Sequence, residues 1–162
     1  MEKREVTKSK YCEFYWALKD VHSLSKSYGF GSCFLPQLFT ESLCRYLYGL
    51  NPYTKNDKKF DAIEHKGETV EIKATLTSKG ITTFNPTSQF TYMYWLYFNF
   101  NKNKVYVYKI RGEQFYKLRY IKKIIEASNG SKRIMVNLSK VFNLSMMISI
   151  VTFAKIQKVN KN

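Results

Sequence analysis

Phe60-Asp-Ala-Ile-Glu-His-Lys-Gly-Glu-Thr-Val-Glu-Ile-Lys-Ala-Thr75 is the stretch on which the fold of this chain turns. Within Val70-Glu-Ile-Lys-Ala-Thr75, apolar Val70 and Ile72 alternate with polar Glu71 and Lys73. A period of two is the pattern of a half-buried strand, so Glu71 and Lys73 project from one face. His65-Lys66-Gly67 fits a three-residue hairpin loop whose last position takes the left-handed conformation that glycine tolerates. That loop sets Glu64 opposite Glu68 and Asp61 opposite Glu71. A two-residue turn at Lys66-Gly67 would pair Asp61 with Ile72 and throw the carboxylates onto opposite faces.

An acid two residues before a lysine carries little information by itself, because Asp57-Lys59, Glu64-Lys66 and Glu71-Lys73 all have that spacing. The third is set apart by its strand and by the acid expected across from it. Two readings stand at this point: an ordinary hairpin with a solvated charged face, or two carboxylates and a lysine gathered for magnesium-dependent phosphodiester chemistry.

Charge bears on the choice. Over 162 residues the chain has 27 Lys+Arg and 12 Asp+Glu, a net +15, which points to nucleic acid or an anionic membrane surface as partner. With 44% apolar and 17% aromatic residues it is no disordered basic tail, and the length suits one domain with a real core. Cys12, Cys33 and Cys44 show no Cys-x-x-Cys pairing and have only His22 and His65 for company, which argues against a disulfide framework or a zinc site. The start, Met1-Glu-Lys-Arg-Glu5, has no apolar signal-peptide core, and Met146–Ala154 is too short to span a bilayer. The expectation is a soluble cytoplasmic protein with reduced thiols.

Tyr11 to about Lys26 reads as an aromatic-rich amphipathic helix, stopped by Gly29 and Gly31. A second helix is expected from Pro36 through Tyr48, with Gly49 as terminator. Ser78 to Gln89 reads as a polar loop with Gly80 and Pro86 as breakers. Met93–Phe100 and Lys104–Ile110 form a second hairpin around Asn101-Lys-Asn103. Glu113–Ala127 has helical spacing in Phe115, Leu118, Ile121, Ile124 and Ile125, ended by Asn129-Gly130. Ile134–Leu138 reads as a strand, and Val141–Ala154 is open between helix and strand. The sum is an α/β fold, a mixed β-sheet flanked by helices. It is expected as a single domain over 1–162, with a helical extension at 1–30 and a catalytic core at 35–138.

At Asp61 with Glu71-Ile72-Lys73, and in the element order from Pro36 to Leu138, the sequence resembles the PD-(D/E)xK nuclease superfamily. Phe60 stands where that motif has proline. Phe60-Asp-Ala-Ile-Glu64, Val70–Thr75, Gly80-Ile-Thr-Thr-Phe-Asn-Pro86 and Tyr94-Trp-Leu-Tyr-Phe98 resemble, more narrowly, the small type II restriction endonucleases that recognise GCNGC. The resemblance spans about residues 35 to 110.

It implies that Asp61 and Glu71 bind Mg²⁺ with the Ile72 backbone carbonyl and waters, a hard-oxygen set that magnesium prefers. Lys73 would orient the attacking water and stabilise charge on the transition state. Glu41 has two readings, a fourth acid carried in by the second helix or an i,i+4 partner of Arg45. Glu64 and Glu68 are expected to face solvent. Base reading would fall to Lys79, Thr82, Thr83, Asn85 and Gln89, whose donors and acceptors suit base edges; the same loop could be a surface connection. Lys55, Lys58, Lys59, Lys66, Lys102, Lys104, Arg119, Lys122 and Lys123 go to phosphates or a solvated face. A short palindromic site in double-stranded DNA implies a two-fold homodimer, with the N-terminal helix as a dimer or DNA-clamping element and a DNA methyltransferase as functional partner. Against the restriction enzyme stand a Holliday-junction resolvase and a non-catalytic nucleic-acid-binding protein.

Overall fold

The computed structural model describes residues 1–54, 60–85, 87–117, 122–126 and 132–155. Along the chain run β1 (Glu2–Val6), α1 (Ser9–Ser27), α2 (Gln37–Tyr48), β2 (Asn51–Pro52), β3 (Ala62–Ile63), β4 (Thr69–Thr75), β5 (Ile81–Phe84), β6 (Tyr92–Asn99), β7 (Lys104–Arg111), α3 (Gly112–Lys117), β8 (Lys122–Glu126), β9 (Lys132–Asn137) and β10 (Met147–Phe153). Seven strands form one mixed sheet in the order β1-β10-β7-β6-β4-β3-β2, and β5-β9-β8 form a second sheet. The pairs β1/β10 and β4/β6 are parallel and the others antiparallel. The fold is therefore α/β, a large curled mixed sheet flanked by helices.

Two cores divide the faces of the large sheet. On one face α1 and α2 bury Tyr15, Phe39, Leu43 and Leu47 against Val70, Ile72, Tyr94, Leu96 and Phe98. On the other, the small sheet brings Phe84, Val136 and Leu138 onto Met93, Trp95 and Ile110, with Phe115 of α3 beneath. The alternation in β4 is what lets it serve both: Val70 and Ile72 are buried under the helices, while Glu71 and Lys73 face the other way. Gly80 is held where an added Cβ would lie 2.6 Å from the Trp95 ring, so the chain entering β5 crosses that indole at contact distance.

Several elements differ from the sequence reading. Helix α2 begins one residue after Pro36 and ends at Gly49, which takes the left-handed conformation at φ 64°. The polar loop at 78–89 contains β5, because β-branched Ile81-Thr82-Thr83 finds a partner in β9. The helix expected over Glu113–Ala127 ends at Lys117, and Lys122–Glu126 is a strand paired antiparallel with β9. Val141–Ala154 resolves into β10 behind a short 3-10 turn at Leu144–Met146. The sheet also takes in β1 and β10, on either side of the segment 35–138 expected to hold the core. Lys55, Lys58, Lys59, Pro86 and Arg119 lie outside the described residues.

Candidate active site

The geometry of the site starts at the turn. Gly67 has φ 75°, Gly67 N–H donates to the Glu64 carbonyl at 2.9 Å, and Glu64 N–H donates to the Glu68 carbonyl at 2.9 Å. The strand pairs are Ala62 with Val70 and Ile63 with Thr69, so the register is that of the three-residue loop. Asp61 N–H donates to the Val70 carbonyl at 3.0 Å, which sets Asp61 beside Glu71.

Two contacts fix the acids. One Asp61 carboxylate oxygen accepts the Ile72 N–H at 2.6 Å, leaving the other free to turn outward. Lys73 Nζ sits 2.7 Å from Glu71 Oε1 and 5.1 Å from the centre of the Phe84 ring, which holds the lysine between β4 and β5. Asp61, Glu71 and Lys73 line a cleft of about 470 Å³. Burial, then the neighbouring Glu71 carboxylate, pushes Asp61 up to about 7, while the Ile72 N–H and Lys73 pull the other way. Burial first and the adjoining Glu71 charge second disfavour the ionised form of Asp61, and a bound cation would relieve both.

Glu41 stands just behind. It is buried, accepts a hydrogen bond from Gln37 Nε2 at 2.7 Å, and lies 3.5 Å from Arg45 Nη1. Arg45 Nη1 in turn donates to the Asp61 backbone carbonyl at 3.0 Å. The i,i+4 pair with Arg45 is present; Glu41 does not line the cleft, and its charge is among those raising Asp61. Glu64 does not face solvent. It accepts from Tyr94 Oη at 2.8 Å and pairs with Lys109 at 2.5 Å on the opposite sheet face, where alternation from Asp61 sends it.

The opposite wall comes from the segment expected to read bases. Thr83, Asn85 and Gln89 line the cleft. Lys79 and Thr82 do not: Lys79 is exposed, with its carbonyl accepting Ser139 N–H at 3.1 Å, and Thr82 pairs with buried Val136 on the inward side of β5. The segment is braced at both ends. The Asn85 side-chain oxygen accepts from Thr87 N–H at 3.1 Å and Thr87 Oγ1 at 2.9 Å. Tyr116 Oη accepts the Phe90 N–H at 2.9 Å and donates to the Ser88 carbonyl at 2.8 Å. Gln37 and Arg133 complete the cleft without a prior signal. Gln37 could have been found from its i,i+4 spacing to Glu41, whereas Arg133 reaches the cleft through strand pairing that no local pattern encodes.

Two carboxylates offer hard oxygen donors, the set that suits magnesium rather than zinc. Among the described residues there is no cluster of three or more His, Cys, Asp and Glu side chains able to hold a metal. A cation bound here would complete its shell with backbone oxygen and water, as magnesium does readily. The residues therefore fit such an ion. The thiols do not contribute: Cys12, Cys33 and Cys44 are free, with Cys12 and Cys44 buried and pushed up by burial.

A curled mixed sheet flanked by helices, with an acid pair and a lysine at the floor of a polar cleft, is consistent with a restriction endonuclease fold. Residues 2–143 match the model of the Bsp6I restriction endonuclease family, and the chain belongs to that family. It is accordingly a type II restriction endonuclease, a hydrolase that cleaves DNA, which displaces the junction resolvase and the non-catalytic binder. No curated protein matches the chain. Restriction endonucleases generally use a divalent metal, and no helix among the described residues is long and apolar enough to cross a membrane.

Proposed function

We propose that this enzyme makes magnesium-dependent double-strand cuts at a short palindromic site through a PD-(D/E)xK centre formed by Asp61, Glu71 and Lys73. The observation that carries this reading is the register of the β3/β4 hairpin, which brings Asp61 and Glu71 together beside Lys73 at the cleft floor. Asp61 and Glu71, with the Ile72 carbonyl, would hold the ion, which when bound supplies Lewis acidity at the scissile phosphate and an acidified water. Ile72 N–H keeps the Asp61 carboxylate aimed at the cleft. Lys73, whose Nζ sits 2.7 Å from Glu71 in the cleft, would orient the attacking water and donate to the phosphoryl oxygens as their charge grows. Glu41 tunes Asp61 through its charge and holds Gln37 at the cleft mouth. GCNGC is the site that the sequence resemblance implies.

The same reading calls for a homodimer, and one surface suits it. Large apolar side chains stand exposed between residues 14 and 38, among them Phe30, Phe34 and Leu38 at 81%, 92% and 79% exposure. Phe14, Val21, Leu24 and Tyr28 are exposed in the same stretch, and aromatic and aliphatic side chains of this kind form the buried centre of an interface of standard size. Leu38 and Phe14 line an apolar groove while the adjacent Gln37 lines the catalytic cleft, so a second copy seated there brings two clefts side by side.

The test is digestion of phage DNA with Mg²⁺, followed by sequencing of the fragment ends. Discrete, two-fold symmetric ends support the reading and give the site; random nicking, or cutting that persists in EDTA, overturns it.

A further inference from the structure

We propose that the cleft-lining face of the small sheet addresses the major groove through β5 and β9 and that Arg133 is its guanine-reading residue; this rests on the reading of the chain as a site-specific nuclease. The register pairs Thr83 with Met135 and Phe84 with Ile134, so the next step along sets Asn85 across from Arg133. Phe84 and Val136 are buried against the large sheet, which sends Thr83, Asn85 and Arg133 to the other face. All three line the catalytic cleft.

Place and pairing together separate Arg133 from the other described arginines. Arg4 pairs with Glu2, Arg45 pairs with Glu41, and Arg111 is exposed and off the cleft, whereas Arg133, half-buried on the central strand of its sheet and lining the cleft, has no ion pair or hydrogen bond among the described residues. Its five donors form a fixed fork that meets no acceptor among the described residues. The acceptors that match this fork are guanine O6 and N7 on the major-groove edge.

Its neighbours fit base edges better than phosphates, since Thr83 and Asn85 are neutral. The oxygen of the Asn85 side chain is engaged by Thr87, leaving its amide as a donor to the adjoining base pair. Asn137, on the same face further along β9, is not among the residues that line the cleft. Directly opposed residues on two strands stand about 5 Å apart, so Asn85 and Arg133 address the same or neighbouring base pairs.

The test uses the cut site once mapped, with duplexes in which each base pair is replaced singly and each guanine in turn by 7-deazaguanine, which lacks N7. Wild-type cleavage should fall ~10- to 100-fold when the guanine read by Arg133 is replaced. In Arg133→Lys and Arg133→Ala that discrimination should drop below about threefold at one G·C pair per half-site, with the other positions unchanged. The same guanine should be the one at which 7-deazaguanine slows wild type and has no added effect on Arg133→Ala. Binding to non-specific DNA at low salt, retained by both variants, shows that they are folded. Unchanged discrimination in both variants overturns the proposal, as does uniform weakening on all sequences with the salt slope lowered by about one, the behaviour of a phosphate contact. A wild type that cuts at no discrete site overturns the proposed function and this inference with it.

Discussion

Lys73 and Asp61 carry the sharpest consequences at the scale of single residues. On the proposed mechanism, Lys73→Ala removes a donor to developing charge, a loss that typically costs ~100- to 1,000-fold in rate. Single-turnover cleavage should fall by that amount while binding in Ca²⁺ stays within a few-fold of wild type. Asp61 gives a prediction in pH. Its folded-state value near 7 exceeds the ~3.9 of an unfolded chain, so the folded protein holds this proton more tightly. The resulting loss of stability is absent below about pH 4, grows as pH rises, and is complete above about pH 7. In EDTA at pH 8, Asp61→Asn should therefore melt higher than wild type, by roughly 3–8 °C, for ~1–2 kcal/mol in a domain of this size. The gain should vanish in melts at pH 3.5, and Mg²⁺ should narrow it at pH 8 by neutralising the wild-type carboxylate. These two side chains were legible because each sits in a local pattern, an alternating strand and a glycine turn. Arg133 was not, since its place in the cleft depends on which strand lies beside β9.

At the scale of elements, the β3/β4 hairpin is the piece on which the site depends. Deleting Glu68 while the His65-Lys66-Gly67 loop is kept pairs Glu64 with Thr69, moves Asp61 opposite Ile72, and turns its carboxylate toward the apolar core. Mg²⁺-dependent cleavage should fall to the level of Asp61→Ala, measured beside a circular-dichroism melt to show that the sheet persists. The elements read well from sequence were those with strong local periodicity, α1, α2, β4 and the β6/β7 hairpin. The helix expected over 113–127 failed for a physical reason. Phe115, Leu118 and Ile121 keep helical spacing, but consecutive β-branched Ile124 and Ile125 favour a strand, and Asn129-Gly130, taken as a helix stop, is also the strongest hairpin dipeptide. Strand β5 was hidden by the breakers on either side of it. Strand β1 was hidden by its composition, since of Glu2-Lys-Arg-Glu-Val6 only Val6 is buried.

For the whole molecule, the +15 charge and the apolar face between residues 14 and 38 make separable predictions. Affinity for non-specific DNA should fall steeply with salt, log K against log salt having a slope near −0.9 for each phosphate contacted. Phe34→Glu with Leu38→Glu should shift the protein from dimer to monomer by analytical ultracentrifugation, since both side chains stand in solvent and their loss leaves each core intact. Such a monomer should nick one strand at the mapped site rather than sever both; a dimer that persists would move the interface elsewhere. The pairing of β1 with β10 bears on how the molecule comes into being. Residues 2–6 lie parallel to 149–153, so the first strand has no place in the sheet until the tenth has been made. During synthesis at ~5–20 residues per second, the nascent chain holds its acid pair and lysine for several seconds before that edge can close. The edge of the large sheet is thus a seam between strands made far apart in time, and β1 can dock there only after β10 has left the ribosome.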